Sequence, residues 1–203
     1  MNSRWNHIAL ALLAAVVCLS NLAISQDSGP SPEKMAEMKQ KWMEASKPGK
    51  YHERMAKAIG KYDTVTTVYG MGPAPMKSTG EAEIRWLLEG RWLITESKYS
   101  MMGKPGHGFA IQGYDNFKKK YVALWVDSMS TALLTMSGNP SRDGKTEAMW
   151  GLMDEPMTGE VGKHVKYVTR IINDDKFVFE IHDLAIGGDK TRVVEIVYTR
   201  KPA

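Results

Sequence analysis

GYDNFKKKYVALWVDSM, residues 113–129, holds one turn and one strand. Its middle is polar and ends in three consecutive lysines, the composition of a solvated loop tip. From Tyr121 onward side chains alternate, so Tyr121, Ala123, Trp125 and Asp127 share one face. Two readings of that face stay open from the residues alone. Trp125 is a core aromatic and Asp127 a strand cap, or the two belong to a working site.

The same period of two runs from Tyr62 to the C terminus. It predicts strands at 62–70, 78–88, 91–99, 107–112, 120–128, 130–137, 145–153, 163–172, 176–184 and 190–200. Turn residues separate nearly every pair: Gly-Pro-Ala-Pro at 72–75, Glu89-Gly90, Asn139-Pro140, Asp143-Gly144, Glu155-Pro156, Asp174-Asp175 and Gly187-Gly188. The connections are short and contain no helix, so the sheet is predicted to be an antiparallel meander. A meander of this many strands removes its exposed edges by closing, and the expected fold is an all-β closed barrel.

Turn lengths then predict facing. A two-residue turn at Glu89-Gly90 sets Trp86 against Leu93 and Ile84 against Thr95, an apolar inward face. A turn at Asp174-Asp175 sets His182 against Tyr167. A turn at Gly187-Gly188 sets Glu180 against Glu195. Each assignment depends on its turn length, because one extra residue reverses the facing.

Ahead of the barrel the pattern changes three times. Arg4, an apolar run from Ile8 to Leu19 and a small-x-small end at Ala23-Ile24-Ser25 read as a signal peptide over residues 1–25. The protein is therefore expected to be exported, to the periplasm or beyond. Removal of that segment takes away the only cysteine, Cys18, so the core must hold the fold without disulfides. Residues 26–32 are a polar linker, 33–60 a helical segment and 61–203 the barrel domain. Met35, Met38 and Trp42 recur on one helix face, which predicts that this helix packs on the barrel or its mouth. A second short helix places Tyr51, Met55, Ala58 and Ile59 on one side.

Several chemistries are excluded. The net charge is +4 with basic residues evenly spread, which does not describe a nucleic-acid surface. No segment after the signal is long and apolar enough to span a membrane. There is no phosphate loop and no Gly-x-Ser-x-Gly elbow. The histidines of the mature chain, His52, His107, His164 and His182, lack ligand spacing, and the turn register sets His164 and His182 on opposite faces. No cofactor or metal is predicted.

A family resemblance rests on several motifs together. Gly113-Tyr114-Asp115, Trp125-Val126-Asp127-Ser128 and Glu195-Ile196-Val197-Tyr198-Thr199-Arg200 resemble those of a bacterial family catalogued as domain of unknown function 1579. His52, Met55, Gly60 and Tyr62 stand where that family starts with a His-to-Trp pattern, with Tyr62 in place of Trp. Glu89-Gly90-Arg91 replaces its Gly-Gly-Arg. The resemblance covers about residues 50–201 and implies a lipocalin-like (calycin-like) barrel. It brings no ligand and no activity.

The candidate site follows from Arg91, which begins the third strand on the inward face. An inward guanidinium cannot shed its proton and requires a partner. Asp127, Glu180 and Glu195 are the acids on offer, and His182 beside Tyr167 completes an interior polar cluster with Trp125. The expected function is a secreted barrel that binds a small apolar or amphipathic ligand inside. The alternatives are a hydrolase or isomerase using interior carboxylates, and a filled barrel with a structural or envelope role. The sequence assigns no oligomeric state.

Overall fold

The computed structural model describes residues 29–202, so the signal peptide read over 1–25 lies outside the described residues. The chain divides into two compact units, residues 1–40 and 41–203. The described part of the first carries most of helix α1 (Pro32–Ser46). That helix starts where Ser31 accepts the Lys34 N–H on its hydroxyl and the Met35 N–H on its carbonyl, with Pro32 at the first helical position. It buries no residue. The expectation that Met35, Met38 and Trp42 are packed away is therefore corrected: all three are exposed, Trp42 by 71%. Their spacing fixed a helical face, and periodicity does not say what covers a face.

The second unit begins with the end of α1; the Ala45 carbonyl and that of Lys47, just past the helix, accept from the Asn116 side chain. Helix α2 (Lys50–Ala56) follows. His52 Nδ1 accepts the Gly49 N–H at 3.1 Å and holds the entry of this helix. Burial lowers the His52 pKa, which favours the neutral ring that this contact requires. His52 and Met55 are buried, and Tyr51 packs on Tyr114 at 4.2 Å between ring centres.

Ten strands then close a barrel: β1 (Gly60–Val68), β2 (Met76–Leu87), β3 (Trp92–Met101), β4 (Lys104–Asp115), β5 (Lys120–Asp127), β6 (Leu134–Pro140), β7 (Thr146–Glu155), β8 (Glu160–Asn173), β9 (Lys176–Asp183) and β10 (Arg192–Arg200). Each pairs antiparallel with the next, and β10 returns to β1 with Tyr198 opposite Thr64. The all-β closed barrel with short preceding helices is thus the observed fold. Trp86 opposes Leu93 and Ile84 opposes Thr95, as the sequence implies. The Arg91 N–H donates to the Leu88 carbonyl at 3.3 Å, closing the expected turn around Glu89-Gly90. Leu88, Glu89 and Gly90 all adopt positive φ, 54°, 55° and 79°, and a leucine there is strained.

The β8–β9 hairpin departs from expectation. Its register shifts between Ile171 and Asn173, so Tyr167 opposes Ile181 and Lys166 opposes His182. One irregular residue turns the set over. His182 and Glu180 therefore point outward, and His164 shares that outward face with His182 rather than opposing it. Glu180 does oppose Glu195, although residues 184–191 make a long connection there instead of a tight turn.

Register makes Tyr62, Ile84, Leu93, Tyr121, Met149 and Val165 inward, and these are the buried core. Met55 of α2 joins them in one cluster. Tyr62 donates to the Ala58 carbonyl at 2.8 Å. Arg200 donates to the Lys57 and Ile59 carbonyls and lies over the Tyr62 ring. The α2 end is closed by packed aromatics and backbone clamps.

Candidate functional site

Inward residues further along the barrel behave differently. Thr66, Ala110, Trp125, Phe179, Ile181 and Ile196 face in by register yet keep part of their surface accessible. The interior is therefore less tightly filled there than in the buried core.

Polar groups face inward from both walls, nearer the α2 end. Gln112 on β4 opposes Leu93, and Glu147 on β7 opposes Thr169; both are inward. The Gln112 amide donates to Glu147 Oε1 at 2.8 Å. The two strands are three apart in the barrel order, so this bond crosses the interior. Burial pushes the Glu147 carboxyl up to about 7, against the opposing pull of the Gln112 N–H and the Arg54 charge. Tyr167 is 2% exposed and faces in, and its hydroxyl has no hydrogen-bond partner. Burial pushes its pKa up to about 12. Nearer the other end, Lys163 and Asp183 form an inward ion pair at 2.8 Å. Their hydrogen bond raises the Lys163 pKa and lowers that of Asp183.

Of the residues expected from sequence, Trp125, Asp127 and Tyr167 line the interior. Asp127 is held by its own chain: Oδ2 accepts from Trp125 Nε1 at 2.9 Å, and Oδ1 accepts from the Met129 and Ser130 N–H groups. The Trp125 ring lies over Gly108, where a Cβ would collide with it. The interior cluster around Arg91 does not form. Arg91 lies between β2 and β3, is 41% exposed, and meets Glu89 at 3.4 Å.

Another arginine, Arg192, pairs two of the acids expected around Arg91. Arg192 Nη1 donates to Glu180 at 2.8 Å and to Glu195 at 2.6 Å, while Arg170 Nε donates to the other Glu180 oxygen at 3.0 Å. The facing carboxylates have their cation between them, but on the outer wall. Glu180 is covered there to 6% exposure. Burial raises its pKa and the Arg192 and Arg170 contacts overcome that, leaving it lowered. His182 closes the group, with Nδ1 at 3.0 Å from the Thr191 hydroxyl. The residues missed were Gln112, Glu147, Arg54, Lys163 and Arg192. For Glu147 the sequence is ambiguous: it shares a strand face with Met149, Gly151 and Met153, while Ala148, Trp150 and Leu152 make the other face equally apolar.

Fold and register together define a closed antiparallel barrel with a few polar groups on its inner face. The profile of a family described as "Protein of unknown function (DUF1579)" matches residues 47–200, and the chain belongs to that family. Rv2717c from M. tuberculosis is similar in structure, with TM-score 0.56 and 11% identity, over 77% of this chain and 100% of that one. That likeness is one of fold. The S-type phycobiliprotein lyase CPES from Guillardia theta aligns at TM-score 0.47 and 9% identity, over 80% of this chain and 97% of its own. A comparison with curated proteins finds no match.

The motif residues that carry the resemblance mostly have structural work. His52 caps α2, and Arg200 sits against Gly60. Gly113 makes room for the Trp92 ring. Asp115 caps the β4–β5 turn through the Phe117 and Lys118 N–H groups. Tyr198 stacks on Phe177 at 4.3 Å. Among the described residues no group of three or more potential ligands could hold a metal, and no helix is long and apolar enough to cross a membrane.

Proposed function

We propose that this protein binds a small, partly apolar molecule in the barrel lumen. The observation that carries this is the accessible surface kept by inward apolar residues such as Phe179, Ile181 and Ile196. Apolar walls with a few convergent polar groups are how small-molecule sites are built. We also read residues 1–25 as an export signal, which places the mature protein outside the cytoplasm; an intact Met1 in material from the native host would contradict this.

The binding test is a titration with the apolar fluorophore N-phenyl-1-naphthylamine. Saturable binding to the unmodified chain is expected, with loss in Ala110→Trp, which fills the lumen from β4. No saturable binding, or binding indifferent to Ala110→Trp, refutes the reading. Glu147 favours a second reading, proton transfer on the bound molecule, because a carboxyl that exchanges near neutral pH suits general acid–base work. Turnover of a co-purifying compound that disappears in Glu147→Gln would establish it over simple binding.

A further inference from the structure

We propose that the Gln112–Glu147 pair is the polar terminus of the lumen and recognises the protonated amine head of an amphipathic ligand. This rests on the lumen reading above. The hydrogen-bond inventory of the pair decides the head. Gln112 uses its amide as a donor, and Glu147 Oε1 accepts it. Glu147 Oε2 and the Gln112 carbonyl have no protein donor among the described residues, and both are acceptors. Tyr121 adds a hydroxyl: burial raises its pKa and the Glu147 charge raises it further, so this hydroxyl lies near the carboxyl. Two acceptors and a hydroxyl, one of them a carboxylate, match an ammonium group, which carries donors only.

Charge separates the candidate heads. A carboxylate head would set a second negative charge beside Glu147 in a place poor in water. A hydroxyl head would satisfy the acceptors without pairing the charge. An ammonium does both, and a charge-assisted bond is the stronger kind.

The surrounding groups do not already fill this role. Strand β4 offers uncharged Gln112, β5 offers Tyr121, β6 offers Met136 and Gly138, and β8 offers Thr169 and Tyr167. The one cation whose charge bears on Glu147 is Arg54 of α2, and it is engaged on the floor side. Its guanidinium lies over the Tyr51 ring and approaches the Ser141 carbonyl at 3.5 Å. Burial still outweighs it, so the carboxyl reaches half-ionisation only near neutral pH.

The test uses the full chain loaded with N-phenyl-1-naphthylamine and three competitors that share one alkyl tail: dodecylamine, dodecanol and dodecanoate, each below its micellar concentration. Dodecylamine is expected to displace the probe at about one-tenth the concentration of dodecanol, with dodecanoate weakest. Its advantage should grow as pH rises from about 5.5 to about 8, as Glu147 ionises, while dodecanol stays flat. In Glu147→Gln the amine and the alcohol should become equal. Tightest binding of dodecanoate, equal displacement by all three, or an unchanged order in Glu147→Gln overturns the head assignment and leaves the lumen reading standing. A probe that never binds overturns both.

Discussion

Replacing Arg192 by alanine tests the outer-wall cluster, and replacing Arg91 supplies its control. Arg192 separates two carboxylates on directly opposed residues, Glu180 and Glu195. Without it they face each other across the β9–β10 ladder, and Arg170 still holds one Glu180 oxygen. Stranding a buried charge costs about 3–5 kcal/mol. Arg192 is itself 38% exposed, so water enters when it is gone. The expected loss is therefore about 2 kcal/mol, which lowers Tm by about 4–8 °C for a chain of this size. Arg91→Ala removes one solvent-facing pair with Glu89 and should change stability by less than about 0.5 kcal/mol. Urea unfolding followed by tryptophan fluorescence, at about pH 7 and about pH 4, reads both variants. The pH sign follows from Glu180. Its folded pKa is lowered, so its stabilisation is present above the unfolded value near 4.3 and lost as pH falls through the folded value. The gap between wild type and Arg192→Ala should shrink in acid. Equal losses in the two variants, or a gap that widens in acid, would show that Arg192 does not hold the Glu180–Glu195 pair.

Other sites give sharper structural checks. Tyr62→Phe removes the hydroxyl bond to the Ala58 carbonyl while keeping the ring against Phe177, and should cost about 1 kcal/mol by thermal unfolding. Met149→Ala opens a cavity among inward residues and should cost about 2–5 kcal/mol, read as a lower urea midpoint. Trp42→Ser should change Tm by less than about 2 °C, because the ring it removes is exposed.

The barrel was legible because two independent signals agreed along the chain. Alternation marked the strands, and Gly, Pro, Asn and Asp marked the places where they reverse. The observed strands differ from the expected ones mainly at ends. β6, for example, starts at Leu134 because Asp127 and Ser130 draw the chain into a capped loop first. Closure was legible by a different route, the cost of leaving edges unpaired. The helix stripe was legible as a pattern but not as a contact. Its residues repeat with helical spacing and remain exposed.

The site was less legible, for two physical reasons. Facing inferred from turn length fails at any irregularity, and the shift between Ile171 and Asn173 moved His182 away from Tyr167. Alternation inside the strand is immune to that failure. In β9, Phe177, Phe179 and Ile181 alternate with Glu180 and His182, so the acid lies on the polar face and belongs outside whatever the turn does. In β7 the same test fails. Glu147 shares a face with Met149, Gly151 and Met153, but the opposite face, Ala148, Trp150 and Leu152, is as apolar and lies outside, so only the register shows that Glu147 is inward. Carboxylates avoid such faces unless they are paired, so this position carries more weight than any charge cluster. Its partner was beyond reach of hairpin reasoning. Gln112 is three strands away, and the two meet only because the sheet curls into a barrel. Alternation therefore places the outer acid Glu180 but not the interior acid Glu147, and both Glu147 and the group it meets across the barrel require the closed fold.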